Sequence, residues 1–239
     1  RLSISLGNLI EEDPTLRVRF DERTGQTILS GMGELHLEVV VDRLHREFNV
    51  AARVGAPQVA YCETVTRRAE GEGRLVRQTG GHGQFAQVMI EVEPLANGEG
   101  FVVENKVVGG AIPKQFMSAV EAGVRDAQAM GVIIGQPLVD MKVTILDGRY
   151  HEVDSSEQAF RTAASMAVRD GVKRAGPVIL EPVMKVEVIA PDSYTGDILG
   201  DLSSRSGTVV GLDPRQPGVQ DIIAHVPLAN MFGYAGNLR

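Results

Sequence analysis

Two hydrophobic periods alternate along this chain, and the order in which they alternate restricts the fold more than any single motif. Residues 2–12 set Leu2, Leu6, Leu9 and Ile10 on one helical face, and Asp13-Pro14 ends the run, because proline disfavours the α conformation in the residue before it. Residues 17–20 and 26–29, joined by the Gly-bearing turn at 21–25, read as a hairpin. Residues 34–48 predict a second helix with Leu37, Val40, Val41, Leu44 and Phe48 inward, and 50–54 a short strand. Helix, strand, strand, helix, strand is a split βαβ unit without its first strand. Near the other end, 184–189 reads as a strand. Asp192 or Ser193 caps a helix over 194–204, which Gly207 stops. Residues 208–212 and 221–226 follow as strands, and 227–232 begins a further helix. That is the same unit cut before its last strand.

Gly55-Ala-Pro57 and Glu181-Pro182 punctuate the chain between these ends. The middle stretch predicts strands at 60–66, 73–78, 87–94 and 101–108, then a helix over 114–130 with Phe116, Val120, Val124 and Ala127 inward. A strand over 138–146 ends at the turn Asp147-Gly148. A last helix covers 156–173, with Phe160, Ala164, Ala167 and Val168 inward; Ser155-Ser-Glu-Gln158 before it has the form of a capping box. The expected architecture is α+β in three segments, 1–56, 57–181 and 182–239.

Composition excludes several function classes. Lys and Arg number 24 against 31 Asp and Glu, so the net charge is −7, and each segment is itself acidic. Nucleic-acid contact by bulk charge is therefore out, and any such contact is local or shared with protein partners. Cys62 is the only cysteine, which rules out an intrachain disulfide or a multi-cysteine zinc site and fits a reducing compartment. No apolar run is long enough for a transmembrane helix, and no signal-peptide pattern opens the chain. Arg1, without Met and almost immediately helical, reads as a cut rather than a natural start.

Motifs for catalysis are missing. There is no P-loop. Gly81-His-Gly83-Gln-Phe-Ala86 fits a relaxed dinucleotide fingerprint but leads into a strand, where such a loop must open a helix. Asp197-Ile-Leu-Gly200 falls inside a helix. The histidines form no i, i+4 ligand pair, and His151-Glu152-Val-Asp154 reads as a polar loop before a capped helix. Cys62 sits in an alternating strand, and no nucleophile elbow exists. Two polar loops remain. In the first, Gly80, Gly81 and Gly83 let the backbone approach another surface, while Arg77, His82 and Gln84 supply donors suited to RNA. In the second, Tyr150 and His151 could stack on bases and Arg149 contact phosphate. Each loop alone also fits a solvated turn.

Longer stretches carry a resemblance. Glu11-Glu-Asp-Pro-Thr15, Ser30-Gly-Met-Gly-Glu-Leu-His-Leu-Glu38, Pro57-Gln-Val-Ala-Tyr61, Ile112-Pro-Lys114, Tyr150-His-Glu-Val-Asp-Ser-Ser-Glu157, Pro177-Val-Ile-Leu-Glu-Pro182 and Met231-Phe-Gly-Tyr-Ala235 occur in collinear order. With these the chain resembles the C-terminal half of bacterial-type elongation factor G, the GTP-driven ribosomal translocase. The resemblance implies two ferredoxin-like domains, the third (1–56) and fifth (182–239), both trimmed, flanking an elongated α/β fourth domain (57–181). It implies that Gly80, Gly81, His82, Gly83 and Gln84 form one tip loop and Arg149, Tyr150, His151, Glu152 and Asp154 the other. Both would contact transfer RNA and messenger RNA in the decoding-centre A site. His82 stands where the family usually has Arg, and Phe85-Ala86-Gln87 where it has Tyr-Gly-His. These departures admit an alternative, a paralogue specialised in recycling ribosomes with a recycling factor. The resemblance further implies no catalytic, cofactor or metal site in this stretch, GTP and Mg2+ being bound by the family's GTPase domain. It implies a monomer working on ribosomal RNA and ribosomal proteins, in bacterial cytoplasm or an organellar matrix, with no membrane partner.

Overall fold

The computed structural model describes residues 1–22, 24–77 and 83–238. They form a mixed α+β protein in two compact units, Tyr61–Leu180 and the combination of Arg1–Ala60 with Glu181–Arg239.

The Tyr61–Leu180 unit is built on a four-stranded sheet. Its strands are β4 (Ala69–Arg77), β5 (Gln84–Pro94), β7 (Met141–Arg149) and β6 (Phe101–Asn105), in that spatial order. β4, β5 and β7 pair antiparallel, and β6 runs parallel to β7. Alternation along β5 buries Ala86, Val88, Ile90 and Val92 completely against two helices, α3 (Lys114–Met130) and α4 (Glu157–Arg174). The opposite face is polar and laced by Arg68–Glu91 and Lys142–Glu93 ion pairs. Helix α4 presses on the sheet through small residues. A Cβ on Gly73 would stand 1.8 Å from Ala163 O, and one on Gly71 2.3 Å from Ala167 O. The stripe Ala163, Ala167, Gly171 thus meets Gly73 and Gly71 backbone to backbone.

A short ladder, β3 (Cys62–Val65) with β8 (Pro177–Leu180), lies outside that sheet. Strand β8 was not anticipated from the sequence. Glu63 on β3 is fully buried, and its carboxylate accepts four backbone N–H groups: Val132 (2.6 Å) and Ile133 (2.9 Å) at Oε2, Ile134 (2.8 Å) and Gln136 (3.1 Å) at Oε1. Burial pushes this carboxyl up, but the four donors outweigh it and hold the group below the usual glutamate range. Gly131, at φ +64°, ends α3 and leaves room for the carboxylate, since a Cβ there would come within 2.7 Å of Glu63 Oε1.

The other unit contains two separate cores. In the first, α1 (Leu2–Glu12) and α2 (Glu34–Arg46) pack with the hairpin β1 (Arg17–Asp21)–β2 (Gln26–Ser30) around Leu6, Leu9, Leu16, Val40 and Leu44. Residues 50–54 are not a strand. Val50 is buried, yet among the described residues no strand pairs with this segment, and the β1–β2 sheet has two strands. In the second core, β9 (Val183–Pro191), β10 (Thr208–Gln216) and β11 (Val219–Pro227) form a sheet in the order β10-β11-β9, with α5 (Thr195–Ser204) over it. Both pairings are antiparallel, so β9 and β10 run parallel with β11 between them, the split βαβ arrangement read from the sequence. A short helix α6 (Tyr234–Asn237) ends the described chain.

Local signals shift in three places. Asp192 and Ser193 do not cap α5; they form a single 3-10 turn leading into it. The left-handed residue after α5 is Ser206 (φ +61°), and Gly207 N–H closes the turn on Leu202 O at 2.9 Å. Asp147-Gly148 is not a turn but part of β7, where a register shift opposite Met89/Ile90 absorbs the irregularity.

Candidate nucleic-acid interface

Strands β4 and β7 end, and β5 begins, at one end of the Tyr61–Leu180 sheet. Register places Gln84 opposite Arg77 and Arg149 opposite Gln87, so the ladder brings the described flank of the first loop and the start of the second to the same end. Gly80, Gly81 and His82 lie outside the described residues. Gly83, Gln84 and the whole second loop are described.

A clasp joins the two segments. Asp154 Oδ1 accepts Gly83 N–H (2.9 Å), and Asp154 O accepts Phe85 N–H (2.8 Å). Ser155 Oγ donates to Phe85 O (2.7 Å) and accepts His151 N–H (2.9 Å). Ser155 N–H closes the turn on His151 O (3.1 Å). Gly83 suits this closeness, because a Cβ there would stand 3.1 Å from Asp154 Cγ. Ser156, not Ser155, is the helix cap: its side chain accepts Ala159 N–H at 3.1 Å. The cap expected on Ser155 is therefore displaced by one residue, where Ala159 three positions on cannot complete a capping box, and Ser155 is free for the clasp. Sequence reasoning missed this role; a pair of serines, of which one can cap, was its only trace.

The clasp carries the exposed groups. His151 is seated over its own turn, with Nδ1 3.3 Å from Asp154 N, 3.4 Å from Val153 N and 3.4 Å from Asp154 Oδ2. Nε2 has no hydrogen-bond partner among the described residues. The Phe85 ring stands edge-on to the imidazole, with centroids 6.5 Å apart. Tyr150 is 46% exposed, and Arg149 and Glu152 face solvent. The arrangement thus offers an arginine head, a phenol and an imidazole from a hydrogen-bonded base, a set suited to phosphate contact and base stacking. Asp154 differs from them, since its Oδ1 holds Gly83. Among the described residues, no group of three or more His, Cys, Asp or Glu could hold a metal ion, and no helix is long and apolar enough to cross a membrane.

Comparison with known proteins supplies the family. The model described as Elongation Factor G, domain III matches residues 1–56, that of Elongation factor G, domain IV residues 57–188, and that of the Elongation factor G C-terminus residues 178–239. A crystal structure of a protein from Thermus thermophilus is similar over 98% of this chain at 39% identity and a TM-score of 0.81. The chain spans 35% of that protein's length. The matched domains do not include a GTP-binding one. The chain belongs to the elongation factor G family, as its domain IV flanked by the ferredoxin-like domain III and C-terminal domain.

Proposed function

We propose that this chain is the ribosome-engaging part of a translocase that moves transfer RNA and messenger RNA at the expense of GTP. The tip formed by Gly80–Gln84 and Arg149–Asp154 would enter the decoding-centre A site. The observation that carries the reading is the clasp of Asp154 and Ser155, which fixes Arg149, Tyr150 and His151 outward at a sheet end in a chain otherwise too acidic to bind RNA by bulk charge.

No bond is broken by these residues. GTP and Mg2+ belong to the family's GTPase domain, and the tip acts by binding the post-translocation arrangement better than the pre-translocation one. A difference of about 2–3 kcal/mol biases that equilibrium by roughly 30- to 150-fold. Ribosomal RNA and ribosomal proteins would supply the remaining docking surface, in bacterial cytoplasm or an organellar matrix. A second reading, ribosome recycling alongside a recycling factor, is favoured by one observation: Phe85, Ala86 and Gln87 replace the family's Tyr-Gly-His beside the tip.

The test is single-round messenger RNA movement on pre-translocation ribosomes by this chain joined to the family's GTPase and second domains. A one-codon shift that requires GTP supports translocation. Subunit splitting without movement, while ribosome-stimulated GTP hydrolysis persists, supports recycling instead.

A further inference from the structure

A second basic feature of the Tyr61–Leu180 unit lies apart from the tip. The edge strand β4 and helix α4 bound a shallow groove of about 370 Å3. Asp170 on α4 covers the free strand edge, accepting Glu72 N–H at 3.1 Å, and Arg174 pairs with it at 2.9 Å. The Glu72 carboxylate is likewise engaged, by Gln87 Nε2 at 2.5 Å. Both anions of the groove thus have partners.

The cations do not. Arg74 and Lys173 have no ion-pair or hydrogen-bond partner among the described residues, and Arg169 touches only Met130 Sδ at 3.7 Å. All three are exposed. Three unneutralised cations lining one groove stand out in a chain of net charge −7. Arg169 and Lys173 are four apart on α4, about 5–6 Å at Cβ, so their heads can serve neighbouring anionic groups of one strand. Among the described residues no aromatic side chain lines the groove, so it lacks the aromatic platform typical of single-strand base recognition.

We propose that this groove is a second RNA site, in which Arg74, Arg169 and Lys173 hold the phosphodiester backbone without reading sequence. The inference rests on the ribosomal reading above, since it needs RNA presented to this domain. Backbone contact is what the three cations share: each can meet a phosphate, and no aromatic ring stands among them to hold a base. Its role is to add affinity and orientation beside the tip, which contacts the transferred RNA.

The experiment measures ribosome affinity of the full-length protein between 50 and 200 mM salt, wild type against the triple variant Arg74→Gln/Arg169→Gln/Lys173→Gln. Each phosphate contact contributes about 0.7–0.9 to the slope of log affinity on log salt, so losing three lowers its magnitude by about 2–2.7. The charge-keeping variant Arg74→Lys/Arg169→Lys is expected to retain the wild-type slope. An unchanged slope in the triple variant overturns the groove while leaving the translocation reading intact; a wild type that binds no ribosomes overturns both. A photo-crosslinking residue at Met166, which lines the groove without carrying charge, identifies the partner. RNA adducts are expected, and adducts confined to ribosomal protein refute the RNA assignment.

Discussion

Glu63→Gln is the sharpest test of how the fourth domain holds together. The carboxylate is completely buried and is met by four backbone N–H groups at 2.6–3.1 Å, with no cation among the contacts. Glutamine keeps one oxygen, so two donors retain an acceptor and two face an NH2 group. An orphaned buried donor costs about 1–3 kcal/mol, which for two gives about 2–6 kcal/mol. The amide no longer carries the desolvation cost of a buried charge, which offsets part of this and leaves a net loss of about 2–4 kcal/mol. The assay is urea denaturation of the chain at pH 7, followed through amide exchange at Val132, Ile133, Ile134 and Gln136. The pH dependence gives a second, independent check. The folded carboxyl lies below its ordinary value, so its stabilisation is fully present above the unfolded pKa of about 4.3 and is lost as pH falls through the folded value. Subtracting the Glu63→Gln variant from wild type cancels the other carboxylates, and the remaining gap should close in that acid window. A variant within about 0.5 kcal/mol of wild type at pH 7, or a gap independent of pH down to acid unfolding, would refute the reasoning, since surface-like substitutions fall in that range.

Other outcomes follow from the same contacts. Gly73→Val drives a Cβ into Ala163 O, so α4 must lift from β4; a loss of about 3 kcal/mol in urea is expected, and a wild-type midpoint would mean looser packing than the 1.8 Å approach implies. Ser155→Ala removes the bonds to Phe85 O and from His151 N, with an expected cost of about 1–2 kcal/mol. Amide exchange should quicken at His151 but not at Ile90, and equal change at both would show that the clasp is not local. His151→Ala in the full-length protein should slow translocation more than it weakens ribosome binding; equal losses would count against a role confined to the tip. Asp154→Ala should release Gly83 N–H and slow translocation with a salt slope unchanged from wild type, because Asp154 acts through the loop and makes no phosphate contact.

Much of the secondary structure was legible because it rests on short-range physics. The period of Leu2, Leu6, Leu9 and Ile10 makes α1, and proline at position 14 ends it. Alternation over 87–94 marks most of β5, with Val88, Ile90 and Val92 buried, while its first three residues, 84–86, read as part of the polar loop. Failures came where a segment depends on a partner. Residues 50–54 have strand composition and no ladder neighbour. Residues 177–180 are a strand only because β3, more than a hundred positions earlier, pairs with them. The Asp147-Gly148 dipeptide has turn chemistry, but the neighbouring ladder continues through it.

The candidate interface divides the same way. Composition and motif alone singled out the two polar loops, the acidic background and the family, because these reside in residue identity and order. Only the tertiary structure decided that Asp154 anchors Gly83, that Ser155 is a bridge and not a cap, that Glu63 gathers four N–H groups, and that Arg74 shares a groove with Arg169 and Lys173. Each of these joins residues 69 or more positions apart along the chain. Hydrogen bonds and charge pairing act over a few ångströms of space and not along sequence, so such pairings exist only once the sheet and helix α4 have packed.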